Sequence, residues 1–276
     1  MRATNQPEPA ALIAELPARR WLVAEDNPVN QAVITQMLKR LGQQCTIAGN
    51  GVEAVEKFGQ REFDIVLLDL QMPLMDGFEA ARLIRELINK QVRLPASVRL
   101  IALSADDPRT DGRTIHFDEV LLKPVRREDL VNALEGCRDS DAQKVAPGLT
   151  KSTSLPGPLP PAFDYEYALN AAGGIREQFS ALAALFLEHT PNLFSQLDDA
   201  LKSRNFSRAA LHSHSLQGSA AAIGGLGLHL SACNLTKALR AQADWHEIDA
   251  LRSALDGRWN ELIQLIAEAT AFTGTG

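Results

Sequence analysis

The side chains best placed for chemistry are polar residues standing directly after short apolar runs: Glu25 and Asp26 after 21–24, Asp69 after 65–68, Ser104 after 98–103 and Lys123 after 120–122. An aspartate at the carboxyl end of a buried strand lies where open α/β sheets gather their ligands. Its carboxylate can act there as a nucleophile toward phosphorus and form an aspartyl phosphate. Three carboxylates held close together repel unless a cation sits among them, and an oxygen-rich shell suits a hard ion, Mg2+ or Mn2+. A lysine adds a positive charge, and a serine hydroxyl offers a contact for a phosphoryl oxygen. Each residue taken alone is as readily a turn or capping residue. Chance does not easily place all five at strand ends.

Those strands need an architecture that brings their ends together. Residues 20–24, 45–48, 65–68, 98–103 and 120–122 read as strands, and helical patterns alternate with them. Asn27 caps the first helix with Pro28 at its first position, and Gly42 closes it. Asn50 caps the second helix, which runs to about Gly59, and the third runs from about Gly77 to Asn89. Residues 106–117 are weak in pattern, and a last helix covers about 126–134. This alternation predicts a doubly wound five-stranded parallel sheet over residues 20–136, with every strand's carboxyl end at one edge. Residues 1–19 read as a lead-in, and 137–161, rich in Pro, Gly, Ser and Thr, as a flexible linker.

Residues 162–272 are helical throughout and predict an all-α antiparallel four-helix bundle. Thr190-Pro191 reads there as a cap and first-position proline, so that 175–189 and 190–203 become separate helices. Within the bundle, 211–220 (LHSHSLQGSA) stands out. Gly218 inside a helix costs about 1 kcal/mol against Ala and so needs a reason. It lies four residues from His214, on the same face, and Gly218 and Ser219 would let another protein approach closely. Gln217, three residues on from His214, can hydrogen-bond a group carried on the imidazole. A neutral imidazole is nucleophilic, and the reference pKa near 6.5 leaves it largely neutral at pH 7. His212 competes for the role, and a helical glycine can also serve packing alone.

Composition narrows the field. The formal net charge of −6 over 276 residues argues against a nucleic-acid partner held by bulk electrostatics. The bundle carries 8 Lys+Arg against 12 Asp+Glu over 161–276, a difference of −4, and no basic recognition helix. Three cysteines (Cys45, Cys137, Cys233) show no metal spacing and fit a reducing cytoplasm. No apolar run reaches membrane-spanning length, and the N-terminus has no signal-peptide pattern.

The first half resembles the receiver domains of two-component response regulators, with flavodoxin-like topology, on VAEDNPVNQAV, VLLDLQMPLMDG, ALSA and LLKP. The resemblance implies that Asp69 is the phosphoacceptor. It implies that Asp26, Asp69 and the backbone carbonyl of Gln71 bind Mg2+, with Glu25 acting through water, and that Ser104 and Lys123 contact the phosphoryl group. This sequence departs from the family around the fifth strand. Val120 stands where most receivers have an aromatic, the 104–123 segment is short, and His116 lies where a Gly is usual. The second half resembles histidine phosphotransfer (HPt) domains on HSLQGSAAAIGG, FDYEYALNAAGG and LFLEHTP. That resemblance makes His214 the phosphorylated residue and puts Gln217 where the family has a lysine.

Together the resemblances imply a phosphorelay intermediate. A histidine kinase phosphorylates Asp69, and His214 carries the group to or from a separate receiver. A second possibility is the C-terminal portion of a hybrid sensor histidine kinase, since this chain contains no kinase core of its own. An Mg-dependent phosphatase with an Asp nucleophile would want a second acid two residues after Asp69, and Gln71 stands there.

Overall fold

The computed structural model describes residues 17–90, 98–105, 112–136 and 161–271. The expected lead-in up to residue 16, residues 106–111 of the weakly patterned stretch 106–117, the expected linker over 137–160 and residue 272 lie outside the described residues.

Strands β1 (Arg20–Ala24), β2 (Gln44–Ala48), β3 (Ile65–Asp69), β4 (Arg99–Ser104) and β5 (Glu119–Leu122) form one parallel sheet in the order β2-β1-β3-β4-β5. Helices α1 (Pro28–Arg40), α2 (Gly51–Gln60), α3 (Gly77–Lys90) and α4 (Arg127–Glu135) alternate with the strands, as the sequence predicts. A 3-10 turn over Gly112–His116 leads into β5. The apolar run of β3 is buried along its whole length, because helices cover both faces of a parallel sheet. Alternate residues feed two separate cores. Trp21, Val23, Ile65 and Leu67 face one side, and Leu22, Ala24, Val66 and Leu68 the other.

Local signals set the helix starts. Asn27 caps α1 by accepting from the Val29 N–H at 2.9 Å, ahead of Pro28. Asn50 caps α2 by accepting from the Glu53 N–H at 2.9 Å. Gly42 follows α1 with φ +70, the left-handed geometry that favours glycine after a helix.

The second half packs α6 (Arg176–Lys202), α7 (Phe206–Ala222), α8 (Leu226–Arg240) and α9 (Trp245–Ala271), preceded by the short α5 (Tyr165–Ala171). Short turns join successive long helices, which therefore run antiparallel. The break expected at Thr190-Pro191 does not occur, and α6 continues through Pro191. A proline inside a helix gives up one backbone hydrogen bond. Here Phe186 and Phe194 stand on either side of it and both pack on Trp259, with ring centroids 5.5 and 5.4 Å away, which holds the two segments in line. Thr190 is fully buried, with its hydroxyl unpaired among the described residues, so it caps nothing.

Among the described residues no helix is long and apolar enough to cross a membrane. One of the two cores does not stop at the first half. It runs from Val29, Val33 and Met37 of α1 into Ala168, Leu182 and Ala183 of the bundle.

Candidate functional site

The sheet order places the carboxyl ends of β1 and β3 side by side, with β4 and β5 next to them. Carboxylate oxygens of Glu25, Asp26 and Asp69 lie within 4.8 Å of one another. Lys123, just after β5, donates to Asp69 Oδ2 at 2.7 Å and to Glu25 Oε2 at 2.8 Å. The Lys123 N–H donates to the Ser104 carbonyl at 2.7 Å, which sets Ser104 and Lys123 next to each other at the same edge. Asp69 Oδ1 accepts from the Gln71 N–H at 3.1 Å, so the turn after β3 orients the carboxylate. That turn is tight. A Cβ on Gly77 would come within 2.2 Å of the Asp69 carbonyl oxygen, so only glycine fits where α3 begins. The six sequence-selected residues of this half, Glu25, Asp26, Asp69, Gln71, Ser104 and Lys123, therefore stand together at one sheet edge.

The pocket is dense in charge and nearly closed. Asp69 is 2% exposed and Glu25 is fully buried. Burial, then the neighbouring charges of Glu25 and Asp69, push Asp26 up to about 7. Burial also raises Glu25, with Lys123 opposing it. For Lys123 itself burial works against the ammonium, but Asp69 and Glu25 outweigh it and hold its pKa above the usual lysine range. One ammonium does not neutralise three carboxylates, and an all-oxygen donor set is what a hard divalent cation requires. The residues fit such an ion.

The bundle meets this edge. In α7, Ala209, Leu216 and Ala220 are fully buried, and Ser213 donates to the Ala232 carbonyl at 3.0 Å, so this side faces the bundle interior. His214 and Gly218 lie on a different side, yet His214 is only 4% exposed. The first half packs on the residues around it. Asn27 Nδ2 donates to the Ser215 carbonyl at 3.1 Å and to Ser219 Oγ at 2.6 Å. A Cβ on Gly218 would come within 2.9 Å of Asn30 Nδ2, which itself donates to Glu25 Oε1 at 2.9 Å. Arg240 of α8 donates to Gln71 Oε1 at 2.7 Å at the rim of the pocket. Gln217 is buried, and its carbonyl pairs with His229 Nδ1 at 3.1 Å. The structure thus places Gly218 and Ser219 at the contact, with His214 on the same stretch of helix. His212 is less buried than His214.

Sequence reasoning passed over three residues here. Asn27 was visible only as a cap, but an asparagine keeps a free amide donor after its oxygen has capped the helix. Asn30 is a poor helix former amid an apolar stripe, which was a usable signal. Arg240 gave none, because nothing local marks a basic residue in the last turn of a helix as a long-range contact.

Residues 21–135 match the family described as the response regulator receiver domain, and residues 181–269 the Hpt domain. The hybrid signal transduction protein dokA of Dictyostelium discoideum is 36% identical over 118 residues, 43% of this chain and 7% of that protein. The signal transduction histidine-protein kinase BarA of Escherichia coli K12 is 26% identical over 201 residues, 72% of this chain and 21% of that protein. The chain therefore spans less than a quarter of the length of either relative. Among solved structures, the receiver domain of the sensor histidine kinase PA1611 of Pseudomonas aeruginosa is 32% identical, with TM-score 0.40, covering 45% of this chain and all of that one.

Proposed function

This chain is a receiver domain followed by an Hpt domain, and we propose that it works as a phosphorelay intermediate with Asp69 and His214 as its two carriers. The observation that carries this is the junction itself. The α7 face bearing His214, Gly218 and Ser219 lies against the edge where Glu25, Asp69 and Lys123 converge.

In the first step an oxygen of Asp69 attacks the phosphorus of a phosphohistidine on a histidine kinase. An O–P bond forms, the donor's N–P bond breaks, and the imidazole leaves. Glu25, Asp26, Asp69 and the Gln71 carbonyl would hold Mg2+, which would supply charge neutralisation for the phosphoryl oxygens. Lys123 supplies a positive charge against the transferred group, and Ser104 a hydroxyl contact. The Gln71 N–H keeps the Asp69 carboxylate in one orientation. In the second step a ring nitrogen of His214 attacks the same phosphorus. An N–P bond forms, the O–P bond to Asp69 breaks, and the Asp69 carboxylate is regenerated. The charge gained by the imidazole is relieved by loss of its other ring proton. A separate receiver then takes the group from His214. Gln217 offers the group a neutral contact only.

Acetyl phosphate with Mg2+, or a cognate kinase, tests this on wild type, Asp69→Ala and His214→Gln. Wild type should carry a base-labile acyl phosphate and an acid-labile phosphohistidine. Asp69→Ala should carry neither from acetyl phosphate, and His214→Gln only the first. Label on His212 in the His214 variant would sink the site assignment.

A second reading has a specific observation behind it. The match to BarA runs through both halves and 72% of this chain, which fits the C-terminal part of a hybrid sensor kinase. Kinase and membrane segments encoded directly upstream would establish it.

A further inference from the structure

The contact between the halves is built along a row of residues that starts at the cap of α1 and runs the length of that helix. Asn27, the cap of α1, and Asn30, Val33, Gln36 and Arg40 within it follow one another every three or four residues, each neighbouring the next along a row that winds part-way round the helix. Asn27 is bonded to Ser215 and Ser219, and Asn30 lies against Gly218. Val33 lines a cavity of about 30 Å³ together with Lys123, Tyr167 and Gly218, room for little more than a water molecule. The Gln36 amide donates to Gln178 Oε1 in α6. Arg40 lies against Gly173, where a Cβ would come within 2.5 Å of the guanidinium carbon. Over the same stretch the apolar core is continuous from α1 into the bundle.

This contact has a consequence beyond a single transfer. The surface that packs on Ser215, Gly218 and Ser219 beside His214 is the one another receiver would need in order to reach that imidazole. The bundle likewise closes the edge through which a kinase would reach Asp69. We propose that the two halves hold each other in a closed pair, so that exchange with any outside protein requires the bundle to lift off the receiver. The occupant of the His214 face at rest is this chain's own receiver. The two halves are covalently joined, so rebinding is intramolecular, at an effective concentration on the order of millimolar. An outside receiver or kinase competes against that figure, and the strength of the α1–α7 contact sets the rate of onward transfer. This consequence for the relay rests on the function proposed above; the closed pair itself does not.

Its test therefore uses a reaction that involves no phosphoryl group. Diethyl pyrocarbonate modifies accessible, neutral imidazoles, and His246, exposed at the start of α9, serves as an internal reference. In the full-length chain His214 should react about tenfold more slowly than His246, as expected if nine-tenths of the molecules are closed. Gln36→Glu combined with Gln178→Glu sets two carboxylates against each other at the contact and should bring His214 to within about twofold of His246. Gln36→Lys combined with Gln178→Glu keeps the substitutions but restores attraction, and should return the slow rate. The slow rate should hold on dilution. Equal rates for His214 and His246 in wild type would overturn the closed pair, as would identical rates in the two double variants. Acceleration on dilution would also overturn it, since the contact would then lie between two chains. Failure of Asp69 to take label from acetyl phosphate, with His214 still protected, would remove the proposed function and leave the closed pair standing.

Discussion

The Asp69 pocket and the His214 face meet at one surface but are made in opposite ways. The pocket draws on the ends of several strands, crowds three carboxylates beside one lysine, and buries Glu25 and Asp69 almost completely. The His214 face comes from one helix, with small and neutral residues on either side of the imidazole. On the proposed function, the difference locates the catalytic work. A pocket that must bind a cation and stabilise a phosphoryl group needs charges fixed by a rigid frame. A carrier that presents a nucleophile to several pockets needs only to be slim and uncharged, so that its partner's charges determine the reaction.

Removing one group from each side should therefore have very unequal effects. Lys123→Ala leaves Glu25 and Asp69 buried without their counter-charge and should cost about 3–5 kcal/mol of stability in the absence of divalent cation. His214→Gln should change stability by less than about 1 kcal/mol. Urea unfolding of the two variants measures both, and equal losses would mean that the pocket is not the charge-strained region described here. Divalent cation gives the next largest effect. At a hundred times its dissociation constant, Mg2+ bound only by the native state should add about 2.7 kcal/mol. His214→Gln should keep that response in a thermal melt. Asp26→Asn should lose most of it, while starting from a more stable cation-free state because one of three crowded charges is gone.

The two glycines sharpen the contrast. Gly77→Ala drives a Cβ to 2.2 Å from a backbone oxygen, which the turn relieves only by moving Asp69, at a cost of about 1–3 kcal/mol. Gly218→Ala places its Cβ 2.9 Å from a side-chain amide and gains up to about 1 kcal/mol of helix propensity. It should leave overall stability no lower while loosening the contact, read as faster modification of His214. A Gly218→Ala variant as unstable as Gly77→Ala would show that the glycine serves the bundle's own packing.

The sequence disclosed these two regions unequally, for the same physical reason. Pocket residues fall at strand ends, and a parallel sheet forces strand ends together, so position in the sequence already implied convergence. Gly77 and Pro28 were legible because turns and helix starts are local. The contact with α7 was not, since it joins residues 188 and 192 positions apart through an asparagine that also serves as a cap. Pro191 misled for the opposite reason. Its local signal is real, but Phe186 and Phe194 on either side of it pack on Trp259, which is distant in the sequence, and the helix continues. Val120 marks a further shift. An aromatic lies instead at Phe117, edge-on to Phe78 at 6.2 Å, a pairing that only the fold reveals.

The smallest predicted effect separates the two halves by sign. In the cation-free receiver, Asp26 holds its proton up to about 7, well above the unfolded aspartate value near 3.9. The native state therefore binds more protons between those values, and this group's contribution to stability rises as pH falls through 7. In the bundle, burial lowers His229 below the ordinary histidine value, with the Gln217 carbonyl opposing. The unfolded state then takes up protons first, so His229's contribution is fully present above about pH 6.5 and declines below it. Melts at pH 8, 6.5 and 5 with no divalent cation should show these slopes through their loss. Asp26→Asn should remove a gain in acid, and His229→Gln should remove a loss. If both variants shift the acid side in the same direction, the charge-strained pocket and the buried His229 site are not the separate regimes that the structure describes.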